Sequence, residues 1–127
     1  ASSGRESQFA FYAADTAGEC ALFLDAKQGI FPTSSDSIIY GGNFSCGGIN
    51  NLSLVTEVPP RPASTVSGNS TAATTTFWIY DPGLPNYCAR VIVAKYGNNN
   101  TKVESEGYNT CDTSDPRRVE RAVRITY

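Results

Sequence analysis

The segment Thr74–Asp81 reads Thr-Thr-Thr-Phe-Trp-Ile-Tyr-Asp and carries the strongest fold signal in the chain. β-Branched and aromatic residues fill it, and both types are enriched in strands. Successive side chains of a strand point to opposite sides, so Trp78 and Tyr80 share one face while Phe77 and Ile79 share the other. An Asp-Pro-Gly turn signal follows. The segment therefore predicts a strand with one aromatic-polar face and one apolar face.

The same period of two recurs along the chain and predicts about eight strands. Only Asp15–Cys20 offers a helical turn, and no segment carries a long helical period with caps. The expected fold is all-β, a single-domain antiparallel β-barrel or β-sandwich, with the choice between these two left open. The predicted strands are 8–12, 21–24, 37–40, 52–55, 74–81, 89–94, 101–106 and 119–127.

One domain, residues 1–127, is expected because a chain of 127 residues matches the ordinary size of a domain. The Pro-, Ser- and Thr-rich stretch at about 59–73 has Val66 as its only larger apolar residue. Such a composition cannot offset its own ordering entropy, so it predicts a flexible surface loop. Residues 97–100, Gly-Asn-Asn-Asn, predict a hairpin loop between two later strands.

Four cysteines in a small Ser-, Thr- and Asn-rich chain predict two disulfides. Three pairings are open, and Cys20–Cys46 with Cys88–Cys111 is preferred because each closes a loop of roughly 25 residues. The chain contains no His, so a zinc site would need four scattered thiolates. No metal site is therefore expected.

Several features predict a secreted, extracellular protein. The opening residues Ala-Ser-Ser-Gly are typical of the position after a signal-peptidase cut. No apolar run approaches the roughly 20 residues that span a bilayer, so no membrane span is expected. A formal net charge of −2 gives no electrostatic reason to bind nucleic acid. Four Asn-x-Ser/Thr sequons, which are candidate glycosylation sites, start at Asn43, Asn51, Asn69 and Asn99.

The sequence favours a non-enzymatic protein without a cofactor. Without His, a Ser–His nucleophile is impossible. Glu104 and Glu106 share a strand face and form a candidate carboxylate pair, but Lys102 on that face is typical of a solvated surface. Asp112 and Asp115 are more typical of turn-forming residues than of calcium ligands. No catalytic residue is therefore assigned.

Two groups of residues are candidates for contact with a partner or glycan. Exposed Trp78 and Tyr80 on one strand face would form a platform for sugar rings, but the sole Trp of a small chain is more typical of the core, which would make this a strand buried on both faces. The second group is a basic cluster, which either binds an acidic partner or forms cross-strand pairs with Glu104 and Glu106. Its members are Arg117, Arg118, Arg121 and Arg124.

The run Gly-Leu-Pro-Asn-Tyr-Cys at 83–88, followed by a Gly/Asn-rich loop, Cys111 and a last strand ending at Tyr127, resembles the C-terminal part of the major Alternaria allergen family. More broadly, the chain resembles small secreted four-cysteine fungal proteins of the type that induces a hypersensitive response. The resemblance implies a disulfide-bonded β-barrel and an elicitor or effector role in plant defence, including cell death and immune responses.

The expected function is therefore that of a secreted, non-enzymatic fungal elicitor or effector that acts by surface recognition. The alternative is a carbohydrate-binding module for cell-wall polysaccharide. The expected partner is a host plant surface component or a cell-wall glycan. The chain itself is expected to be a monomer or a small homo-oligomer.

Overall fold

The computed structural model of the protein describes residues 2–33, 43–46, 49–53, 65–80, 88–97, 100–112 and 114–127. An N-terminal helix, α1 (Ser2–Phe23), runs into a π-helical turn (Leu24–Gln28). Seven strands follow: β1 (Asn43–Cys46), β2 (Ile49–Ser53), β3 (Thr65–Gly68), β4 (Ala72–Tyr80), β5 (Cys88–Tyr96), β6 (Thr101–Tyr108) and β7 (Glu120–Thr126).

Strands β3 to β7 form one antiparallel sheet in which each strand pairs with the next along the chain. β1 and β2 pair separately as a two-stranded sheet. β3 and β7 are the edges of the five-stranded sheet, so this sheet is open. The expected antiparallel β architecture is confirmed in its coarse form, because the protein is mostly β, but the N-terminal helix contradicts an all-β fold. In the part of the chain that the structure describes, the sheet is not closed into a barrel, one of the two expected alternatives, and there are fewer than eight strands.

The N-terminal helix replaces two of the predicted strands, 8–12 and 21–24. Its buried side is built from small residues, whereas Phe9 and Phe11 are 48% and 50% exposed. The Phe-x-Phe spacing that predicted a strand therefore lies on the outer surface of a helix. The buried helical residues are Ala10, Ala13, Ala14, Ala17, Cys20, Ala21 and Leu24.

α1 packs against one face of the sheet, over β5, β6 and β7. The approach is closest at Gly107 on β6, where an added Cβ would lie 2.2 Å from the Ala10 carbonyl oxygen and 2.3 Å from the Ala14 nitrogen. Glycine is therefore required at this position because the helix backbone occupies the space of a side chain. The helix covers the face that a second sheet would cover in a sandwich.

The two faces of the sheet differ in burial, as the alternation in Thr74–Asp81 predicts. The face beneath α1 carries Phe77 and Ile79, 1% and 0% exposed, and the core continues through Val91, Val93 and Val103. The alternate residues Thr76 and Trp78 are only half-buried. Trp78 is thus outside the apolar core, on the opposite face.

Other strand predictions have mixed outcomes. The predicted strands 89–94, 101–106 and 119–127 are confirmed as β5, β6 and β7, and 52–55 overlaps β2. The hairpin loop after Tyr96 is confirmed, with the Tyr96 N–H donating to the Asn100 carbonyl oxygen at 2.9 Å. Inside the predicted loop at 59–73, residues 65–68 and 72–73 belong to the β3–β4 hairpin. The predicted strand 37–40 and residues 59–64 lie outside the described residues.

None of the helices in the described part of the chain has both the length and the apolar character needed to cross a membrane.

Candidate binding face

The face of the five-stranded sheet opposite α1, called the open face below, is where the polar and aromatic residues gather. Trp78 on β4 lies opposite Arg90 on β5, which lies opposite Glu106 on β6. In a parallel row, Tyr108 on β6 lies opposite Glu120 on β7. Of the helices and strands that the structure describes, α1 alone packs extensively on this sheet, and it does so on the other face.

An aromatic stack marks one end of the open face. The rings of Trp78 and Tyr108 lie 6.0 Å apart between centroids with an interplanar angle of 23°. The guanidinium carbon of Arg118, in the loop before β7, lies 3.7 Å from the Tyr108 ring centroid, which is cation–π distance. Tyr108 is consequently 6% exposed, while Trp78 is only half-buried.

Charged hydrogen bonds surround this stack. Arg90 binds Glu106 with both Nε and Nη2, at 2.7 to 3.0 Å. The Tyr108 hydroxyl donates to Glu120 Oε1 at 2.5 Å. Because paired guanidinium and carboxylate groups hold one another in fixed geometry, the donors and acceptors around Trp78 are preorganised.

Glu106 and Glu120 lie diagonally across β6 and β7, and each carboxyl group shifts the pKa of the other. Burial raises the pKa of Glu106 above its ordinary value, Arg90 opposes the rise, and the neighbouring Glu120 adds to it. The hydrogen bond from Tyr108, and then the neighbouring Glu106, lower the pKa of Glu120. Glu106 is thus the partner that keeps its proton longer, and Glu120 the one that ionises first.

Two carboxylates of the open face are held in ion pairs with arginines. The two carboxylates suggested by the sequence, Glu104 and Glu106, each pair with a different arginine. Glu106 binds Arg90, and Glu104 forms the predicted cross-strand pair with Arg124 at 3.2 Å.

Beyond this cluster the open face continues into a shallow cavity of about 220 Å³. Tyr96, 44% exposed, stands at its end. Trp78 and Tyr96 are six residues apart in sheet register, since Ala72 pairs with Tyr96 and Trp78 with Arg90, which corresponds to about 20 Å along the strands. The cavity is lined by Thr74, Ile92, Ala94, Tyr96, Lys102 and Glu104.

The four arginines of the basic cluster are not gathered into one patch. Arg118 lies over the Tyr108 ring on the open face, and Arg124 donates a hydrogen bond to Glu104 on the same face. Arg121 faces the other side by register, and its Nη1 donates to the neighbouring Glu120 carbonyl oxygen. Arg117 is exposed in the loop before β7.

Asn109 anchors that loop to the end of β6. Its Nδ2 donates to the Arg117 carbonyl oxygen at 3.1 Å, and its Oδ1 accepts from the Val119 N–H at 2.6 Å. Asp112 and Asp115 accept hydrogen bonds from the loop itself, at Ser114 and Arg117, as expected for turn-forming residues. No group of three ligand-type side chains suited to a metal ion occurs among the described residues.

The cysteines fall into two different environments. Cys20 is disulfide-bonded and lies on the buried side of α1. The side chain of its predicted partner, Cys46, lies outside the described residues. Cys88 is buried and Cys111 is partly exposed. The structure does not show the preferred Cys88–Cys111 disulfide, which stays a prediction.

Most of the remaining predicted side chains lie outside the described residues. Tyr80 is on the open face by register, but its side chain is among those outside, as are the side chains of Asn43, Asn51 and Asn99. Asn69 is exposed in the β3–β4 turn, where its Oδ1 accepts hydrogen bonds from the backbone N–H groups of Thr71 and Ala72.

Sequence reasoning missed Arg90, Tyr108 and Glu120 as members of the site. Tyr108 lies two residues past Glu106, so extending the alternation of β6 would have placed both on one face. Arg90 and Glu120 gave no comparable signal, because their positions depend on strand register.

No protein-family model, curated protein or solved structure matches this chain.

Proposed function

We propose that the protein is a non-enzymatic recognition protein that binds carbohydrate through the open face of its sheet. The observation that carries the proposal is the half-buried Trp78 stacked at 6.0 Å on Tyr108, on a sheet face lined with fixed charged groups. Flat sheet faces with an accessible aromatic ring suit the apolar faces of sugar rings, and neighbouring ionic groups suit their hydroxyls.

The length of the face favours an extended ligand. About 20 Å of strand separates the Trp78 row from Tyr96, with the cavity between them. A linear oligosaccharide of several units fits this distance, because successive rings could contact an aromatic residue at each end. The bidentate pairing of Glu106 with Arg90 supports binding rather than hydrolysis, since that carboxylate is committed to an ion pair.

We further propose that the protein acts outside the cell. Export, glycosylation at the sequons, and two disulfides, Cys20–Cys46 and Cys88–Cys111, remain predictions from the sequence. The elicitor or effector role likewise stays a prediction, in which glycan binding would be the recognition step at a plant cell wall. Infiltration of pure protein into leaves of several hosts tests it, with necrosis or an oxidative burst expected and uniform silence contradicting it.

Binding itself is tested with a panel of soluble and insoluble cell-wall polysaccharides. Trp78 is the only tryptophan, so its fluorescence reports directly on the open face in the wild type and in Tyr12→Ala, whereas retention on insoluble polysaccharide measures the binding of every variant, including Trp78→Ala. We expect Trp78→Ala to weaken binding about tenfold, the loss of roughly 1.4 kcal/mol of aromatic contact.

Tyr12→Ala is the matched control, because it removes an aromatic ring that is 54% exposed on α1, away from the open face. It should bind like the wild type. Equal binding by Trp78→Ala and Tyr12→Ala would remove the open face from the mechanism. Absence of binding across the panel would remove the carbohydrate proposal altogether.

A further inference from the structure

Strand β7 forms one edge of the five-stranded sheet, and its outer side has no neighbouring strand among the described residues. Tyr127 exchanges two backbone hydrogen bonds with Thr101, of 2.7 and 2.9 Å, so its polar backbone groups point toward β6. The backbone groups of successive residues in an antiparallel strand point to opposite edges, so those of the alternate residues point outward. These outward-pointing residues are Glu120, Ala122, Arg124 and Thr126, and all four are exposed.

The order of charges along this outer edge is self-complementary. Glu120 and Arg124 lie two residues on either side of Ala122. An antiparallel copy of β7 that places Ala122 opposite Ala122 therefore brings each glutamate opposite an arginine. Centring the pair on Arg121 instead would place two arginines opposite each other, and centring it on Val123 would form no ion pair. The charges thus favour one register, and in it the outward backbone groups also meet.

We propose that two copies of this protein pair through β7, antiparallel and about a two-fold axis at Ala122. The outward N–H and C=O groups of Glu120, Ala122 and Arg124 form about six main-chain hydrogen bonds with the second copy. Charged residues on an edge strand often prevent such pairing, but in this register opposite charges meet. The open faces of the two copies then form one continuous surface. The inference is independent of carbohydrate binding, because the contact lies at the sheet edge.

Both charged groups retain donors or acceptors for a second partner. Arg124 uses Nη2 to bind Glu104 at 3.2 Å, and the Arg124 side chain is 64% exposed. Glu120 accepts the hydrogen bond from the Tyr108 hydroxyl at Oε1. A guanidinium carries several N–H donors, and a carboxylate accepts at both oxygens. Each ion pair across the dimer axis therefore extends a row of hydrogen bonds that already exists within one copy.

Helix α1 carries an exposed aromatic residue on the side that borders β7. A Cβ added at Gly18 would lie 3.6 Å from Cδ1 of Ile125 on β7, which identifies this side of the helix. Phe11, seven residues earlier on the same stripe, is 50% exposed. Because the two-fold axis is perpendicular to the paired sheet, both helices lie on one face. β6 and its copy are about 14 Å apart, which accommodates two helices of about 10 to 12 Å in diameter, with Phe11 turned toward the other helix.

Charge reversal tests the register. Analytical ultracentrifugation of the wild type should show a dimer that dissociates on dilution. Glu120→Arg and Arg124→Glu each place like charges opposite one another at both symmetric positions, so each should raise the dissociation constant of the dimer about tenfold or more. An equimolar mixture of these two variants should form a heterodimer, because every arginine then meets a glutamate. A mixture that associates no better than the single variants would overturn the register.

Proline substitution tests the backbone pairing. Ala122→Pro removes the outward N–H at the axis and spares the hydrogen bonds to β6, and proline is accepted at such positions of edge strands. It should abolish the dimer, whereas the matched control Ala122→Ser keeps the N–H and should dimerise. Circular dichroism checks that each variant is folded, and the charge-reversal variants decide if Ala122→Pro is not. A wild type that stays monomeric up to millimolar concentration, or a dimer that survives in folded Ala122→Pro, would overturn pairing through β7.

Discussion

The carboxylate of Asp25 accepts two hydrogen bonds from Nζ of Lys95, at 2.9 and 3.0 Å, although the two residues are 70 positions apart in the chain. Asp25 belongs to the π-helical turn after α1, and Lys95 to β5. Their side chains are 6% and 19% exposed. The pair therefore fastens the end of the helix to the sheet in a largely dry environment.

We expect Asp25→Asn to lower the free energy of unfolding by about 3 kcal/mol, because it leaves the Lys95 ammonium partly buried without a counter-charge. Urea denaturation measures the change. Glu104→Gln is the matched control: it breaks the Arg124 pair, whose side chains are 64% and 28% exposed, and should cost less than about 1 kcal/mol. Equal losses in the two variants would contradict a special role for the Asp25–Lys95 pair.

Gly107→Ala should destabilise the protein by roughly 1 to 3 kcal/mol or more, because the new methyl group meets the backbone of α1. Gly4→Ala is the comparison, since it sits on that helix and nothing lies within 4 Å of the place that its new methyl group would take. That change should be neutral or slightly stabilising. The midpoint of thermal unfolding separates the two outcomes, and a neutral Gly107→Ala would mean that α1 does not pack as described.

Thr75→Val should stabilise the protein by about 1 kcal/mol. Thr75 is fully buried on the core face of β4, and its hydroxyl has no hydrogen-bond partner among the described residues. Replacing an unsatisfied buried hydroxyl with a methyl group of the same shape removes a desolvation cost. Thr76→Val, one residue along on the open face, should give no such gain in chemical denaturation; a larger gain there than at Thr75 would contradict the assignment of faces.

The free energy of unfolding should fall at high pH because two tyrosines ionise. Burial, and then the hydrogen bond to Glu120, raise the pKa of Tyr108 to about 12. Burial, and then Asp25, raise the pKa of Tyr127 as well. Phenols of the unfolded chain ionise near pH 10. The contribution of Tyr108 is therefore complete below about pH 10 and is lost as the pH rises toward 12.

Denaturation curves recorded at several alkaline pH values measure this loss. Tyr108→Phe removes one of the two groups, so its free energy of unfolding should fall less steeply over the same interval. Identical slopes in the wild type and in Tyr108→Phe would show that this phenol does not titrate later in the folded state.

The strands of the second half of the chain were predictable because large apolar and polar residues alternate there. In β4, Phe77 and Ile79 enter the core and Trp78 does not, as the period of two requires. Cross-strand partners such as Arg90 and Glu106 were not predictable in the same way, because register depends on turns and pairing that the residue pattern does not specify.

The N-terminal helix was missed for a different physical reason. Its buried side is mostly alanine, whose small side chain permits the close approach at Gly107. Its large apolar residues Phe9 and Tyr12 are exposed. The large apolar residues of this helix therefore do not mark its buried side. The helix also has no acidic residue in its first turn and no basic residue in its last turn, so the usual charge signals of helix ends are absent.

The consecutive pairing of β3 through β7 has a kinetic consequence. Each strand needs only its neighbour along the chain, so the loops that must close are short and the sheet is quick to nucleate. α1 comes from the far end of the chain and finds its place only once β6 and β7 exist together. We therefore expect α1 to dock after the folding barrier, so that weakening its packing speeds unfolding and leaves the folding rate almost unchanged in stopped-flow measurements.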